Sequence, residues 1–378
     1  MHPKQQQQLF QALAAQNEQT KKLKQQLPRY KILSTLPYQK VPLWWQNVDS
    51  ILPKTPRGVS SIRYFFSACW HILRLLTVVN RYDVVLLSGG ERRDLFYIAL
   101  AGCLPWIKTP HIITDAHWQA KTGLKLWIQR KLFQFANRLL VEVQPHSVEE
   151  CYIYSQQFNI PFDKMNAIAW SVSLIGYELH PTRNSTMILT GGASFRDYDV
   201  FYHAVKNLPL PIEVGLPAWF NNREIKKLAA LSYVTVHHDL NQQQYYEKMA
   251  QCRILAIPMP AGLTRCAGDQ TLLNAMSLGK IVVATDSIAS RLYIRHGENG
   301  FLIPPYDVKK WQTTLSMIAK MKPSAYQKIA DCAEFDAKCY FNENKRIQDT
   351  LLSALAILQP NQQNLSRITV QTNVSLHW

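Results

Sequence analysis

A polar, glycine-containing run in the C-terminal half has the residue types of an anion-binding helix start. Its candidate ligand-binding residues are Arg265, Gly268, Asp269, Gln270, Thr271 and Asn274. The apolar spacing after Gly268 predicts a helix capped by a left-handed Gly279. Because the first N–H groups of a helix lack intrahelical acceptors and the helix dipole is positive there, we expect a diphosphate at this position. Gln270 or Thr271 would add donors and Asn274 would reach ribose hydroxyls; a tight turn without a ligand is the alternative.

A second glycine pair, Gly191 and Gly192, follows a predicted strand over residues 187–190. Glycine lets a backbone approach a ligand closely because it carries no side chain. Arg196 follows at the expected start of a helix, where a guanidinium can hold two phosphate oxygens at once. We expect Arg196 to bind phosphate, although an exposed arginine at a helix start would have the same sequence.

The adjacent triplet Asp197-Tyr198-Asp199 has the Asp-x-Asp pattern with which some enzymes hold a divalent metal ion. The triplet lies at the same expected helix start, where aspartate is favoured as a capping residue and by the helix dipole. We therefore predict that it caps the helix and that the site contains no metal.

Several polar side chains in the N-terminal half are candidates for proton transfer. Asp115 and His117 come directly after a predicted strand, and Glu91 follows another strand and the pair Gly89-Gly90. Ligands bind beyond the carboxyl ends of parallel strands, and histidine or a carboxylate can take a proton from a hydroxyl group. We expect His117 to act as a base or to contact the substrate. We expect Asp115 to act as a base or as an orienting residue. Glu91 is the rival base, and a histidine that only closes a loop is the alternative for His117.

The run His237-His238-Asp239 ends a predicted strand of the C-terminal half. Adjacent residues of a strand point to opposite faces, so we do not expect the two histidines to share a metal ion. We expect the backbone near His238 to contact the base of a nucleotide.

The elements that must position these residues alternate between strand and helix. Predicted strands cover residues 31–34, 83–87, 111–114, 139–143, 187–190, 212–214, 234–237, 254–257 and 281–284. This α/β alternation is typical of parallel sheets, and the two series predict two Rossmann-like domains facing across a cleft. We place the N-terminal domain at residues 1–178, with a polar extension at 1–26, and the C-terminal domain at 179–340. Residues 341–378 are expected to form a helix that crosses back to the N-terminal domain, followed by a tail.

The composition excludes several classes of protein. Hydrophobic residues make up 47% of the chain and charged residues 18%, which is typical of a globular protein rather than a disordered one. The seven cysteines have no CxxC spacing, which argues against a zinc site or a disulfide framework and favours the reducing cytoplasm. The first 26 residues lack the pattern of a secretory signal.

The formal net charge of +16 fits a nucleic acid, an anionic membrane or a phosphorylated substrate. No nucleic-acid-binding motif is recognisable, so we expect no nucleic-acid partner. Two cationic stretches with aromatic side chains, residues 64–79 and 124–140, fit interfacial contact with the inner face of a membrane. They fit packing as surface helices on a sheet equally well, and neither has the roughly 20 apolar residues needed to span a bilayer.

The C-terminal motifs together resemble those of a known family. The helix ending in Ala275-Met276-Ser277-Leu278-Gly279-Lys280, a strand, Asp286 and the run from Gly297 to Pro305 are similar to the donor-binding half of GT-B glycosyltransferases of the group 1 type. The resemblance covers residues 187–340 and, more weakly, the N-terminal half. It implies the GT-B fold and the transfer of a sugar from a nucleoside diphosphate sugar to a hydroxyl acceptor. The nucleoside diphosphate sugar would be a substrate, and the resemblance implies neither a metal ion nor another cofactor. We expect the acceptor to be a glycan, a glycolipid or a lipid-linked or polysaccharide chain at the membrane surface.

The sequence departs from that family pattern in the donor block. The family has two glutamates there, and Cys266 and Asn274 stand in their places. Asparagine could still hold the ribose, but cysteine cannot replace a carboxylate that contacts the donor sugar, which leaves retaining and inverting mechanisms open. Ala193 stands where the family has an arginine, so Arg196 and Arg265 would have to neutralise the diphosphate.

The resemblance also implies a place for His117, because a histidine near this point in the family often lies beside the donor sugar. Two alternatives to a transferase stay open. The missing glutamates motivate a non-catalytic nucleotide-sugar-binding protein or partner subunit. A nucleotide-sugar epimerase of the GT-B fold is the other, and it would need additional acidic residues near the donor sugar.

Overall fold

The computed structural model describes residues 3–38, 40–52, 61–119, 121–218, 220 and 223–359. Its internal contacts divide the chain into two compact units. The N-terminal unit comprises Ala15–Trp170 and the chain from Asn344 on, and the C-terminal unit comprises Ser171–Glu343 together with the chain up to Ala14. The divisions fall at 170 and 343, where the sequence predicts 178 and 340. The predicted tail beyond residue 359 lies outside the described residues.

Both units contain a parallel sheet flanked by helices, which confirms the predicted α/β class. The strands are β1 (Ile32–Ser34), β2 (Val48–Ser50), β3 (Val84–Ser88), β4 (His111–Ala116), β5 (Leu140–Pro145), β6 (Ile188–Gly191), β7 (Ile212–Gly215), β8 (Val234–His237), β9 (Ile254–Ile257), β10 (Ile281–Thr285) and β11 (Gly300–Ile303). The helices are α1 (Pro3–Gln26), α2 (Pro42–Trp45), α3 (Ser61–Val78), α4 (Arg92–Cys103), α5 (Gly123–Ala136), α6 (Val148–Phe158), α7 (Tyr198–Val205), α8 (Arg223–Ala229), α9 (Gln242–Gln251), α10 (Asp269–Ser277), α11 (Ile288–Tyr293), α12 (Val308–Ala319), α13 (Pro323–Tyr340) and α14 (Glu343–Leu358).

The sheet of the N-terminal unit has the strand order β2-β1-β3-β4-β5, and all of its pairs are parallel. Successive residues of a strand point to opposite faces, so a strand buried on both faces is apolar throughout. Val85 and Leu87 of β3 pack in one cluster with residues of α3, α4, α5 and α6. Val84 and Leu86 pack in another with Leu23 of α1 and residues of α14. Helix α14 therefore belongs to the core of the N-terminal unit.

The sheet of the C-terminal unit has the order β11-β10-β9-β6-β7-β8, again with parallel pairs. Strand β6 lies between β9 and β7, and Gly191 at its end pairs in register with Gly215 at the end of β7. The loops that follow β6, β7 and β9 therefore emerge side by side at one edge of the sheet. That edge is where parallel α/β sheets bind their ligands.

Some elements were not predicted from the sequence. Strand β2 has only three residues and one buried position in its pattern, so it lacks the apolar run of the other strands. Helix α1 falls in the predicted polar extension, and β11 falls in the run from Gly297 to Pro305, for which no strand was predicted. Polar residues interrupt the apolar positions of α1, and β11 has only four residues, which is too short a run to establish a period.

Candidate functional site

The Arg196 guanidinium joins the two glycine blocks of the C-terminal unit. Its Nε donates to the carbonyl oxygen of Gly191 at 2.9 Å, and its Nη1 donates to that of Ser194 at 2.8 Å. A Cβ placed on Gly192 would lie 3.2 Å from Nη2, and one on Gly268 would lie 3.6 Å from both terminal nitrogens. Both glycines have positive φ angles, +93° and +85°. The loops after β6 and before α10 thus meet at one cation, as their separate sequence motifs suggest.

One nitrogen of this guanidinium remains available. Nη1 also contacts the sulfur of Met259, at 3.1 Å, whereas Nη2 has no hydrogen-bond acceptor within the described part of the chain. Burial lowers the pKa of Arg196, opposed by Tyr198, Tyr245 and Asp269, and an arginine stays charged through any such shift. A half-buried, permanently charged donor beside two glycine loops is suited to an anion.

Tyr245 of α9 is a site residue that the sequence analysis missed. Its hydroxyl would lie 2.9 Å from a Cβ placed on Gly191, and its ring 2.7 Å from one on Gly215, so the ring fills the space that two glycines leave. The hydroxyl is buried and has no hydrogen-bond partner in the described structure. Burial raises the pKa of Tyr245, which therefore remains a hydrogen-bond donor at neutral pH. Nothing local marks this residue in the sequence, because α9 is remote from both glycines along the chain.

Helix α10 begins as predicted. Gly268 is its N-cap with a left-handed conformation, and Gly279 after its end has a φ of +65°, which confirms the predicted cap. Asp269 is buried and Thr271 half-buried at the first turn. The start of α10, where a helix has N–H groups without intrahelical acceptors, therefore lies close to Arg196.

Gln270 and Asn274 are both engaged by Ser173. The Gln270 amide donates to the Ser173 hydroxyl at 2.7 Å, and the Asn274 amide donates to it at 3.2 Å while accepting from the Ser173 N–H at 2.9 Å. Asn274 is 0% exposed. Because its amide is held by the chain itself, ribose binding by Asn274 would require these bonds to break, and that role stays a prediction.

Of the three remaining predicted residues, only Arg265 is linked to the Arg196 loop by a contact within the described structure. The Arg265 guanidinium lies over the Phe195 ring, 4.8 Å from its centre, which brings Arg265 next to the Arg196 loop. Cys266 is buried. His238 follows β8 and is half-buried, and within the described residues no contact links it to Arg196. The contact between its backbone and the base of a nucleotide stays a prediction.

The Asp-x-Asp triplet caps a helix. The Asp197 side chain accepts from the N–H of Val200 at 3.0 Å, as expected for the N-cap of α7. Asp199 is exposed and pairs with Lys227 and His203. A pocket of about 290 Å³ lies on this side of Arg196, and its acidic rim, which includes both aspartates and Glu224, disfavours a phosphate there.

His117 of the N-terminal unit has a defined orientation. Its Nδ1 lies 2.7 Å from the backbone carbonyl oxygen of Asp115, and a carbonyl can only accept, so Nδ1 carries the proton. Nε2 then carries the lone pair. It faces Gly90, where a Cβ would lie 3.3 Å from Nε2 and 2.8 Å from Cε1. The ring stacks on His146, with 6.0 Å between ring centres.

The Asp115 carboxylate is committed to other groups. One oxygen accepts from the Tyr38 hydroxyl at 2.6 Å, and the other pairs with the guanidinium of Arg346 on α14. Arg346 is buried and lies 3.8 Å from the centre of the Trp170 ring. A carboxylate paired with a guanidinium and a phenol is a poor proton acceptor. The geometry is compatible with the second predicted role of Asp115, as orienter, because its backbone carbonyl rather than its carboxylate contacts His117, and that role stays a prediction.

Glu91, the rival base, precedes α4 and is 42% exposed. Its carboxylate pairs with Arg93 at 2.9 Å. The preceding Gly89 is held against the end of β4, since its N–H donates to Thr114 and its carbonyl accepts from the Trp118 indole. The loop around Gly89 and Gly90 therefore lies against His117 and Trp118, as the sequence predicts for one edge of a sheet.

Comparison with known proteins confirms the resemblance. Residues 213–320, all in the C-terminal unit, match the family described as "Glycosyl transferases group 1". No curated protein sequence matches. The family match supports glycosyl transfer as the general class of activity.

Solved structures show that the fold is GT-B. A glycosyltransferase from Rickettsia africae ESF-5 is 14% identical with a TM-score of 0.64, and the match covers 89% of this chain and 99% of that one. Anabaena Alr3699/HepE, solved in complex with UDP and glucose, is 16% identical with a TM-score of 0.64, over 86% of this chain and 91% of that one. Sucrose-phosphate synthase from Thermosynechococcus elongatus is 12% identical with a TM-score of 0.59, over 84% and 83% of the two chains.

Proposed function

We propose that this protein is a glycosyltransferase that moves a sugar from a nucleoside diphosphate sugar to a hydroxyl acceptor. The observation that carries the proposal is Nη2 of Arg196, which lies between the Gly192 and Gly268 loops and has no hydrogen-bond acceptor among the described residues. A diphosphate seated there would accept from Nη2 and from the N–H groups that open α10. The Tyr245 hydroxyl lies buried at the ends of β6 and β7, has no hydrogen-bond partner in the part of the chain that the structure describes, and is a further donor at the same edge.

The same groups would promote departure of the nucleoside diphosphate. Negative charge grows on the leaving diphosphate as the bond to the sugar breaks, and fixed donors that face this charge lower the barrier. Arg196 is fixed by the carbonyls of Gly191 and Ser194, so it needs little reorganisation. We propose that Arg196 and the start of α10 replace a metal ion in this role, with Arg265 as a second cation nearby.

His117 is our candidate for the base that takes the proton from the acceptor hydroxyl. The bond from Nδ1 to the Asp115 carbonyl leaves the lone pair on Nε2, which is the atom that a base requires. The carboxylates of Asp115 and Glu91 are each paired with an arginine. His117→Gln should therefore abolish transfer while leaving donor binding unchanged.

The stereochemical course stays open. Neither Cys266 nor Asn274 offers a carboxylate, and both are buried. If the sugar is nevertheless transferred, the anomeric configuration of the product, read by NMR, decides between retention and inversion.

A non-catalytic binder of nucleotide sugars is the second candidate, and the same two replacements favour it. Such a protein would bind the nucleotide sugar as tightly as an active glycosyltransferase does. It would release no nucleoside diphosphate when any acceptor is added. A GT-B epimerase would instead convert the donor sugar without an acceptor.

We further propose that the acceptor is a glycan or lipid-linked saccharide at the cytoplasmic face of a membrane. The seven cysteines all lie within the described residues and form no disulfide there, which fits a reducing compartment. The net charge of +16 fits an anionic surface.

The donor site is tested by thermal stabilisation with a panel of nucleoside diphosphates, with and without magnesium. A ligand that binds only the folded state raises its apparent stability. We expect one diphosphate to stabilise the protein equally with and without magnesium, and Arg196→Ala to lose this effect. Lys338→Ala, which changes an exposed lysine of α13, is the matched control and should keep it. Absence of stabilisation by every nucleotide would contradict the donor site.

A further inference from the structure

An unusually apolar surface covers the outer face of the N-terminal unit. On α3 the residues Phe66, Trp70 and Leu73 stand along one side of the helix and are 67%, 72% and 56% exposed. Exposed aromatic side chains in a row are costly in water and mark a contact surface. By length and composition, the segment Ile62–Arg81, which includes α3 from its second residue on, is also the only part of the described chain apolar enough to cross a membrane.

The opposite side of α3 is committed to the protein core, which argues against a membrane-spanning helix. His71 is buried and lies 3.4 Å from the Asp94 carboxylate of α4. Leu75 and Val79 are fully buried in the core cluster of the same unit. Asp94 in turn accepts from the N–H of Ser88. Spanning would remove these partners, so α3 can meet a membrane only along its outer side.

The neighbouring helices extend the surface. Helices α3, α4 and α5 pack against one face of the sheet, so their outer sides point the same way. A Cβ on Gly102 of α4 would lie 1.9 Å from the Phe135 carbonyl of α5, which shows how closely these two helices approach. The exposed apolar residues on this side are Phe96, Leu100, Trp106, Leu124, Trp127, Ile128 and Phe135. We call the outer sides of α3, α4 and α5, with Trp106, the aromatic face.

The charge on the aromatic face has one sign. The exposed cations of the three helices are Arg63, Arg74, Arg92, Lys125, Arg130 and Lys131. Their sequences contain a single acidic residue, Asp94, and it is buried. Lys131 also lies over the Trp127 ring, 6.0 Å from its centre. Aromatic side chains with cations around them match the interface of an anionic bilayer, where rings sit at the headgroup level and cations meet lipid phosphates.

We propose that the aromatic face binds the surface of an anionic membrane, with α3, α4 and α5 lying in the plane of the interface. The inference does not depend on transferase activity.

Sedimentation with lipid vesicles tests the proposal on the full chain. We expect binding to vesicles that contain phosphatidylglycerol, weaker binding to pure phosphatidylcholine, and a loss of binding as salt is raised. The double variant Trp70→Ser/Trp127→Ser should reduce partitioning at least tenfold while its circular dichroism and nucleotide stabilisation stay unchanged. The matched control is Tyr306→Ser/Tyr340→Ser, which removes exposed aromatics from the C-terminal unit and should bind as the parent does.

Three outcomes would overturn the proposal. One is absence of vesicle binding by a folded chain, and another is equal binding of the double variant and the parent. The third is that the parent is a dimer by analytical ultracentrifugation and the double variant a monomer, since the aromatic face would then join two copies of the chain. Nucleotide stabilisation can persist in each case, so failure here is distinct from failure of the proposed donor site.

Discussion

Replacement of Tyr245 by phenylalanine should change stability and ligand binding in opposite directions. The Tyr245 hydroxyl is buried beside Gly191 and has no hydrogen-bond partner among residues 3–359 where these are described. A buried polar group without a hydrogen bond costs roughly 1–3 kcal/mol, a cost that phenylalanine does not carry. If the hydroxyl is kept to meet a ligand, its removal should stabilise the empty protein and weaken the complex.

The magnitudes follow from the same contacts. We expect Tyr245→Phe to stabilise the unliganded protein by about 1 kcal/mol, which corresponds to a rise in Tm of about 2–4 °C for a domain of this size. A hydrogen bond to a charged phosphate contributes about 1.5 kcal/mol or more, so the nucleoside diphosphate should bind about tenfold more weakly.

Tyr198→Phe is the matched control, because that tyrosine belongs to the same site but is fully paired. Its hydroxyl donates to the Gly192 carbonyl at 2.6 Å, so its removal should destabilise the protein by about 1–2 kcal/mol. Differential scanning calorimetry and titration calorimetry measure the two effects on each variant. Our interpretation of Tyr245 is refuted if Tyr245→Phe is destabilised like Tyr198→Phe, or if it binds the nucleotide as well as the parent does.

Two further predictions concern buried charges of the N-terminal unit. Burial lowers the pKa of His111 to about 4, below its value of about 6.5 in an unfolded chain, so the folded state binds fewer protons between these values. Stability should therefore fall as the pH drops from about 6.5 to 4, and urea unfolding of His111→Gln should show a flatter pH dependence. Arg346→Met should destabilise the protein by about 3–5 kcal/mol, because it leaves the Asp115 carboxylate, whose side chain is only 12% exposed, without its cation. Urea unfolding measures this loss, and a change below about 1 kcal/mol would contradict the importance of the pair.

Much of the fold can be predicted from the sequence because the strands are short apolar runs. Strands β8 and β9 have the predicted bounds, and most others differ from them by one or two residues at an end. The proximity of Gly192, Arg196 and Gly268 can also be predicted from the sequence. Strands β6 and β9 are neighbours in a parallel sheet, so the loops that follow them leave the sheet at the same edge. Sequence order along an α/β chain thus predicts the neighbourhood of a site.

The partners of the site residues could not be predicted. Ser173 occupies the amide of Asn274, and Tyr245 fills the space above Gly191 and Gly215. These contacts join residues far apart in the sequence, and they depend on how helices pack on the sheet rather than on any local pattern. The residues around Asn274 in the sequence would be the same whether its amide binds a ribose or, as here, the segment at Ser173.

The surroundings of Asp115 explain why an aspartate stands before His117. Its backbone has a φ of +54°, which glycine, asparagine and aspartate tolerate best. Glycine would leave Arg346 buried without an anion, and asparagine would not neutralise it. Only aspartate both accepts this conformation and holds the cation of α14. The pair with Arg346 anchors the residue whose carbonyl accepts from Nδ1 of His117, and we therefore expect loss of the pair to disturb the orientation of the candidate base.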